Sequence, residues 1–512
     1  MRRRRREISI LVLAATIAAV GACSSDGGNE PLSGDSLHGT TESLQRLERP
    51  EGPAADLAGP LPAEGANLPA TAAAAPDLDA AGYVEEEYTA EGVAGSYRSR
   101  GALPPDGRYE LVKDEADRYR TRIVVRRPAD ADDFNGTVVV EWLNVSGGVD
   151  AAPDYGYMAD ELVRGGYAWV GVSAQHLGIE GGPVAVAGAG LGDTAGVGLR
   201  RLDPERYGSL THPGDAFSYD IYTQVARALR APADVDALDG LEPERLLAVG
   251  ESQSAFALTT YANGVQPLTE AFDGFLIHSR GGAAAPLGKA GRGIDIAGTI
   301  AGPPTRVRTD VGVPVLVLET ETDVLSFLNY HPARQPDSRN FRLWEVAGTA
   351  HADAYQLGPV ADVVDCPAPV NTGPHHFVAK AALHSLDTWA RTGEAPPEAA
   401  RLETDSTPDF VRDANGNALG GVRTPQVDVP VATLSGEPGG SSSIMCLLLG
   451  STTPLDPGRL AQLYPTVDAY LAAYTAAADA AIGAGFVLED DREALLADAD
   501  PSVIPAARPP AT

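Results

Sequence analysis

The chain has 512 residues and carries 39 Lys and Arg against 70 Asp and Glu, a formal net charge of −31. Such a length accommodates one large α/β domain with insertions, or several domains of average size. The acidic excess argues against a nucleic-acid partner, because phosphate recognition needs a basic surface. It also argues against binding to anionic lipid by charge alone.

The first residues have the pattern of an export signal. Arginines at positions 2–6 precede an almost purely apolar run at residues 8–20, which is short for a membrane span, and small residues then lead to Cys23. This resembles a bacterial lipoprotein signal, so residues 1–22 are expected to be removed and Cys23 to be lipidated. The protein is then expected to lie on the outer face of the cell membrane, held there through the lipid only. A plain signal peptide is the alternative, and the arginine run leaves Sec and twin-arginine export both open.

Two further cysteines, Cys366 and Cys446, lie in the second half of the chain. An exported protein meets oxidising conditions, so this even pair predicts one disulfide, with two buried thiols as the alternative. The sequence contains no paired-cysteine or HExxH zinc pattern. We therefore expect neither a metal nor an organic cofactor.

The segments that flank the predicted domain lack hydrophobic periodicity. Residues 23–81 are rich in Ala, Pro, Gly, Asp and Glu, and are expected to form a disordered tether. Residues 501–512 contain several prolines and are expected to form a frayed tail.

Between residues 82 and 400, strand-like and helix-like segments alternate. The predicted strands are 120–126, 137–142, 167–174, 246–249, 274–277, 313–318 and 340–346. The predicted helices are 155–164, 216–229, 252–262 and 379–391. Several of the strands are continuous apolar runs, as in a sheet that is covered on both faces. The alternation predicts an α/β fold with a mostly parallel central sheet and helices on both sides.

Residues 401–500 give a weaker pattern and are interpreted as a C-terminal extension packed on the same domain. A strand is predicted at residues 427–434, and a helix begins near Thr466. Four residues of that helix have the spacing of a buried stripe: Val467, Tyr470, Leu471 and Tyr474.

The most informative segment is a short apolar strand that runs into Gly250-Glu251-Ser252-Gln253-Ser254 and then into a helix. A nucleophilic serine on a strained strand-to-helix turn needs small neighbours, because backbone packs closely on each side. Ser254 stands where this pattern usually has glycine, which is a mild departure because serine is also small. Ser252 is therefore the predicted nucleophile.

A nucleophilic serine needs a base, and the base needs a carboxylate that orients it. In this type of fold the chain order is serine, acid, histidine. The strand at 313–318 leads into a carboxylate cluster, from which Asp323 is favoured as the acid, with Glu321 as the alternative. His351 follows the next strand and its small-residue loop, and is the predicted base.

The oxyanion of such a reaction is expected to bind backbone N–H groups. One donor is the N–H of Gln253, the residue after the nucleophile. The second is expected from Asn144 or Val145, in a glycine-rich loop that follows the strand at 137–142. The alternative for this loop is an ordinary turn.

Further polar residues follow buried strands, and the carboxyl ends of parallel strands face the site in open α/β sheets. Gln175 and Arg280 are therefore candidate pocket residues, with pairing to a carboxylate as the alternative for Arg280. His278 is expected to be a satisfied core group. The glycine-rich segment 283–304 is expected to form a cap over the site.

These motifs together resemble the serine α/β-hydrolase superfamily. Within it the chain is similar to a largely uncharacterised bacterial "alpha/beta hydrolase domain" family, and the similarity covers roughly residues 83–402. The resemblance implies the α/β-hydrolase fold and a serine-dependent site, but it implies almost nothing about substrate. The motifs that carry it are VEWLNVSGG (140–148), VGVSAQ (170–175), HPGDAFSYDIY (212–222), GESQSA (250–255), GFLIHSRGG (274–282), ETETD (319–323) and AGTAHAD (347–353).

The sequence as a whole favours an exported serine hydrolase that cleaves a carboxylic ester, either a small molecule or a component of the cell envelope. An acyltransferase to an envelope acceptor would use the same site. A non-catalytic binding lipoprotein with a hydrolase fold is the third interpretation, and the intact serine, histidine and carboxylate cluster argues against it.

Overall fold

The computed structural model describes residues 49–70, 75–186, 192–440 and 443–505. The predicted signal peptide and Cys23 lie outside these residues, as does the end of the predicted tail. Within the described ranges, no helix is both long enough and apolar enough to cross a membrane.

Nine strands of the described chain form one sheet, in the order β1-β2-β3-β5-β4-β6-β7-β8-β9. Along this order, β1-β2-β3-β5 are antiparallel neighbours, and β5-β4-β6-β7-β8-β9 are parallel neighbours. A separate antiparallel pair is formed by β10 and β11. The strands are β1 (Asp56–Ala58), β2 (Tyr83–Ser99), β3 (Leu111–Pro128), β4 (Thr137–Trp142), β5 (Ala168–Val172), β6 (Arg245–Glu251), β7 (Gly274–His278), β8 (Val315–Thr320), β9 (Phe341–Val346), β10 (Ala432–Ser435) and β11 (Ser451–Pro454).

Three of the longer helices connect parallel strands, the two longest follow the last strand of the large sheet, and many shorter ones lie in loops. They are α1 (Pro153–Arg164), α2 (His176–Glu180), α3 (Leu199–Leu202), α4 (Pro204–Tyr207), α5 (Ser218–Arg230), α6 (Gln253–Thr260), α7 (Gln266–Thr269), α8 (Ile296–Ile300), α9 (Glu321–Leu325), α10 (Ala354–Leu357), α11 (His375–Thr392), α12 (Pro425–Asp428), α13 (Ile444–Leu449), α14 (Pro457–Leu463), α15 (Val467–Gly483) and α16 (Arg492–Ala497). A π-helical turn, Tyr261–Val265, joins α6 to α7.

Each face of the sheet is covered by its own hydrophobic core. Val138 and Val140 of β4 pack in the core that contains helices α5 and α6. Val139, between them, packs in the core that contains α1 and α11. Because alternate residues of a strand point to opposite faces, a strand buried on both sides must be apolar throughout. The predicted α/β fold with helices on both faces is confirmed.

The predicted disordered tether is wrong for residues 49–70 and 75–81, which lie on the domain. Strand β1 pairs with β2 over Asp56–Ala58, and Ala70 forms a bridge with Ala151 next to the central sheet. These contacts are mainly backbone hydrogen bonds over a few residues. They leave no hydrophobic period in the sequence, so composition alone suggested disorder.

The C-terminal extension packs on the main domain through α11. Phe377 of that helix shares a core with Ala478 and Ala481 of α15. Tyr470 and Tyr474 are buried as predicted, but Val467 and Leu471 are each 37 % exposed, so the predicted four-residue stripe is only half buried.

Two other predictions for the extension have clear outcomes. The segment predicted as one strand at 427–434 divides into the end of α12 and the start of β10. The predicted disulfide between Cys366 and Cys446 is confirmed, and it closes a sequence separation of 80 residues.

Candidate active site

Ser252 lies at the turn between β6 and α6. Its φ of 61° and ψ of −120° are unusual for a residue with a side chain, which is the strain expected of a nucleophile turn. Its N–H donates to the carbonyl of His278 at 2.9 Å. A Cβ on Gly250 would lie 3.0 Å from the Cβ of Ser254. The turn therefore accepts serine at position 254 because position 250 is glycine.

Three predicted site residues form one hydrogen-bonded chain. His351 Nε2 lies 2.8 Å from Ser252 Oγ, and His351 Nδ1 lies 2.6 Å from Asp323 Oδ1. An ionised carboxylate only accepts, so the Nδ1 proton faces Asp323 and Nε2 is left to accept a proton from the serine. The other oxygen of Asp323 accepts from the backbone N–H of Thr320 at 2.7 Å and from its hydroxyl at 2.6 Å.

The environment of Asp323 favours its charged form. Burial acts to raise the pKa of this carboxyl, but the neighbouring His351 and the hydrogen bonds from His351 and Thr320 outweigh it and lower the pKa below its usual range. The carboxylate therefore stays ionised beside the imidazole, where it can hold the ring and stabilise an imidazolium.

Glu321, the alternative acid, has other partners. Its carboxylate accepts from the backbone N–H of Gly348 at 2.6 Å and of Gly436 at 3.1 Å, and Arg412 lies 3.6 Å away. These contacts connect the end of β8 to the C-terminal extension. The geometry therefore brings Asp323, and not Glu321, onto His351.

The predicted oxyanion donors divide into two kinds. Gln253 is the first residue of α6, so its N–H has no acceptor within that helix. Val145 N–H lies 3.5 Å from the side-chain oxygen of Gln253, a long contact. Asn144 N–H donates to Ala151 at 2.9 Å and is not free for a ligand. Of the two residues predicted for the second donor, Val145 is therefore the one whose N–H is available to an oxyanion.

Asn144 instead holds the loop in place. Its side-chain amide donates to the carbonyl of Glu251 at 3.0 Å, and its side-chain oxygen accepts from the backbone N–H of Ser146 at 2.8 Å. The loop after β4 is thereby tied to the last residue of β6, next to the nucleophile.

A cavity of about 330 Å³ opens beside Ser252 and His351. Apart from the residues at the serine, its lining is almost entirely apolar. The predicted cap segment 283–304 contributes helix α8 to this lining. The apolar lining residues outside the loop after β4 include Phe256, Ile296, Ala297, Ile300, Phe327, Leu328, Leu357, Val360, Val364, Ile444, Met445, Leu448 and Leu449.

The two predicted pocket residues have different surroundings, and neither lines the cavity beside Ser252. Gln175 lines a second space of about 460 Å³ beside Val145, and its side-chain oxygen accepts from the indole of Trp142. Arg280 is buried instead, and its guanidinium donates to Thr259 and to the backbone oxygens of a neighbouring loop, including that of Thr305. The prediction of Arg280 as a pocket residue is wrong, because its charge is used to hold that loop.

The sequence matches the family described as "Alpha/beta hydrolase domain" over residues 57–497. The chain belongs to this family. The match begins within strand β1 and continues through nearly all of the C-terminal extension, so the extension belongs to this alpha/beta hydrolase domain. Comparison with curated protein sequences gave no match.

Solved structures similar to this alpha/beta hydrolase are distant in sequence. A fungal esterase from Rhizomucor miehei is 12 % identical, with 61 % of this chain and 85 % of the other covered and a TM-score of 0.31. For an α/β serine hydrolase without a lid from Xanthomonas campestris, the values are 12 %, 50 %, 83 % and 0.25. For an acetyl xylan esterase from Bacteroides fragilis, described as putative, they are 10 %, 58 %, 70 % and 0.27.

The sequence reasoning missed three buried carboxyl groups around the site of this hydrolase. Glu251 Oε1 lies 3.6 Å from His351 Nε2, and burial raises the pKa of Glu251 well above its usual range. Burial likewise raises the pKa of Glu319 far above its usual range and that of Asp353 to about 7. All three lie within motifs named above, GESQSA, ETETD and AGTAHAD, so their positions were a visible signal.

A second buried network lies behind the nucleophile turn. Asp154 Oδ1 lies 2.8 Å from His278 Nδ1, and His278 Nε2 lies 2.6 Å from His375 Nε2. Burial raises the pKa of Asp154 and lowers those of both histidines, so burial favours the neutral form of each of the three groups. His278 is a satisfied core group, as expected, and its carbonyl accepts the N–H of Ser252.

Side chains that bind metal ions do not cluster in the described ranges. In these ranges, no group of three or more His, Cys, Asp and Glu side chains is arranged to hold a metal ion. The histidines near the site instead make hydrogen bonds to carboxyl groups, to each other or to Ser252.

Proposed function

We propose that this protein is a serine-dependent hydrolase of carboxylic esters. The observation that carries the proposal is the hydrogen-bonded chain from Ser252 through His351 to Asp323, with distances of 2.8 Å and 2.6 Å. The α/β hydrolase family supports the same class of reaction. The chain puts a hydroxyl, a base and an orienting carboxylate in one line at the carboxyl end of the sheet.

The reaction begins when the Ser252 oxygen attacks the ester carbonyl and its proton passes to His351 Nε2. The resulting oxyanion accepts hydrogen bonds from the N–H groups of Gln253 and Val145. His351 then returns the proton to the leaving alcohol, and the acyl group stays on Ser252. A water molecule then gives a proton to His351 and attacks the acyl-enzyme; the bond between the acyl carbon and Ser252 Oγ breaks, the proton returns from His351 to Ser252, and the acid is released.

Asp323 acts on the histidine and not on the ester. Its carboxylate keeps the Nδ1 proton in place and stabilises the imidazolium that forms in each half-reaction. Its lowered pKa supports this role, because the carboxylate stays charged while the imidazole gains and loses its proton.

A fluorophosphonate probe tests the nucleophile. We expect stoichiometric labelling of Ser252 in the folded protein, together with hydrolysis of p-nitrophenyl acetate. Ser252→Ala should abolish labelling and reduce kcat by at least about 10⁴-fold. Ser254→Ala is the matched control in the same turn and should keep both. An unlabelled but folded wild type that hydrolyses no ester would refute the proposal.

Product analysis with an added alcohol distinguishes hydrolysis from acyl transfer. A hydrolase releases mainly free acid when the alcohol is dilute in water. An acyltransferase gives mainly the new ester, because its acceptor site holds the alcohol near the acyl-enzyme.

We further propose that the protein is exported and anchored through a lipid on Cys23. The sequence around residues 1–23 supports this, as does the disulfide, which is typical of proteins outside the cytosol. The full-length chain should then fractionate with membranes and incorporate labelled fatty acid. Cys23→Ala should lose the label and leave the membrane fraction, and an unchanged distribution would contradict the anchor.

A further inference from the structure

The cavity beside Ser252 has an uneven chemical lining. Its polar side chains are concentrated near the serine, and the rest of the lining is hydrocarbon. Among the described residues of the lining there is no Lys or Arg, and the one carboxyl group is that of Glu251. A bound anion would lose its hydration here without gaining a partner, which is costly. The cavity therefore disfavours a substrate that carries a negative charge near the ester.

Three separate segments of the chain build the apolar part. Helix α8 gives Ile296, Ala297 and Ile300, the segment 356–364 gives a second side, and helix α13 gives a third. Phe256 and Leu328, which are 2 % and 3 % exposed, also line the cavity. Such a lining binds hydrocarbon in proportion to the apolar area it removes from water.

The disulfide joins two of these segments. Cys366 follows Val364 closely in the chain, and Cys446 comes directly after Met445. Ile444 at the start of α13 is 42 % exposed and Val363 is 74 % exposed, so apolar surface continues beyond the cavity along the linked wall. A chain longer than the cavity would still meet apolar atoms at this rim.

We propose that the site takes an uncharged ester with a hydrocarbon chain on its acyl or alcohol side, and that this chain binds between α8 and the wall formed by residues 356–364 and α13. The proposal rests on the ester hydrolase function above. It adds the class of substrate and names the residues that select it.

Two ester series measure the preference. Each CH₂ that enters the cavity should raise kcat/KM about fourfold. With four more CH₂ groups, p-nitrophenyl hexanoate should then exceed p-nitrophenyl acetate by roughly 250-fold, or hexyl acetate should exceed ethyl acetate by the same factor. The p-nitrophenyl hemisuccinate, which carries a carboxylate, should be at least tenfold poorer than the uncharged pentanoate. Flat or falling values in both series, or equal rates for the charged and uncharged esters, would overturn the proposal.

Two variants test the two sides of the proposed binding space. Leu448→Trp on α13 and Ala297→Trp on α8 both add bulk to the cavity, and each should lower the octanoate-to-acetate ratio of kcat/KM more than tenfold. If the preference in wild type is on the alcohol side, octyl acetate and ethyl acetate give the ratio. Ala297 is exposed, so its variant tolerates the larger side chain even if Leu448→Trp fails to fold. Leu471→Trp, at an exposed position of α15, is the matched control and should keep the wild-type ratio.

The outcomes separate this inference from the function on which it rests. Fluorophosphonate labelling of Ser252 and acetate turnover, without a rise along either series, would overturn the substrate class alone. Absence of both labelling and turnover in folded protein would overturn the hydrolase function itself. An unchanged octanoate-to-acetate ratio in both Leu448→Trp and Ala297→Trp would overturn the assignment of substrate selection to α8 and α13.

Discussion

Asp323 and Asp353 are two buried aspartates near His351, and their pKa values shift in opposite directions. Both side chains are 0 % exposed, yet the pKa of Asp323 is lowered and that of Asp353 is raised to about 7. The two oxygens of Asp323 accept from His351 and twice from Thr320. One oxygen of Asp353 accepts from Gln356 and Tyr157, and the other has no hydrogen-bond partner among the described residues. Burial thus raises the pKa of both carboxyl groups, and the number of hydrogen-bond donors around each one determines whether its charged form is favoured.

The largest test of this comparison is Asp323→Asn. The amide would direct its NH₂ group or its oxygen at His351 without the charge, and the wrong tautomer would leave Nε2 unable to accept the serine proton. We expect kcat for p-nitrophenyl acetate to fall by about 10⁴-fold, or roughly 5 kcal/mol, with the fold retained by circular dichroism. A loss of less than tenfold would mean that the charge of Asp323 does not serve the histidine.

Asp353→Asn should change the pH dependence of stability. The folded pKa of about 7 is above the unfolded value near 4, so the native state holds an extra proton in this window and its stability falls as pH rises from about 4 to about 7. Asparagine can still accept from Gln356 and does not titrate. At pH 8 the free energy of unfolding of Asp353→Asn should exceed that of the wild type by on the order of a few kcal/mol. Each pKa unit between the folded and unfolded states corresponds to about 1.4 kcal/mol.

Thermal unfolding at pH 5 and pH 8 checks this expectation. Asp106→Asn, in an exposed loop, serves as the control and should follow the wild type at both pH values. Equal changes in Tm for wild type and Asp353→Asn between the two pH values would show that Asp353 is ionised throughout.

Glu321→Gln separates a structural carboxylate from a catalytic one on the same turn. Glutamine would present an NH₂ group to the N–H of Gly348 or of Gly436. That glycine would lose its acceptor, and two donor groups would then face each other. We expect the free energy of unfolding to fall by about 1–3 kcal/mol and kcat/KM to change less than about threefold. A kcat loss as large as that of Asp323→Asn would assign the orienting role to Glu321.

The smallest effect is expected for Glu251→Gln. Burial raises the pKa of Glu251 well above its usual range and so favours its neutral form, which glutamine resembles in shape and lack of charge. Steady-state kinetics should show kcat within about threefold of wild type. A decrease beyond tenfold would indicate a charged carboxylate 3.6 Å from His351 Nε2.

The sequence was informative where local pattern and chemistry coincide. Apolar strands followed by small residues predicted the elements that carry Ser252, His351 and Asp323, and the structure brings these three side chains together. The choice of Asp323 over Glu321 depended on spacing alone. Only the three-dimensional structure shows that two backbone N–H groups already hold Glu321.

What the sequence could not predict depends on contacts between distant segments. Strand β1 is held by backbone pairing, which leaves no side-chain pattern. The apolar cavity combines α8, the segment 356–364 and α13, none of which has a motif. Arg280 follows a strand end as a site residue would, but its donors turn into the loop that includes Thr305.

The disulfide makes the structure of the substrate cavity depend on the redox conditions under which the chain folds. By closing a sequence separation of 80 residues, this bond stabilises the fold by roughly 4.5 kcal/mol through the chain entropy of the unfolded state. In a reducing compartment the segments that end near Cys366 and Cys446 would keep their places by packing alone. Oxidation thus completes one side of the hydrocarbon site. A chain retained in the cytosol would keep the hydrogen-bonded chain of Ser252, His351 and Asp323. The cavity wall formed by residues 356–364 and α13 would lack its covalent link.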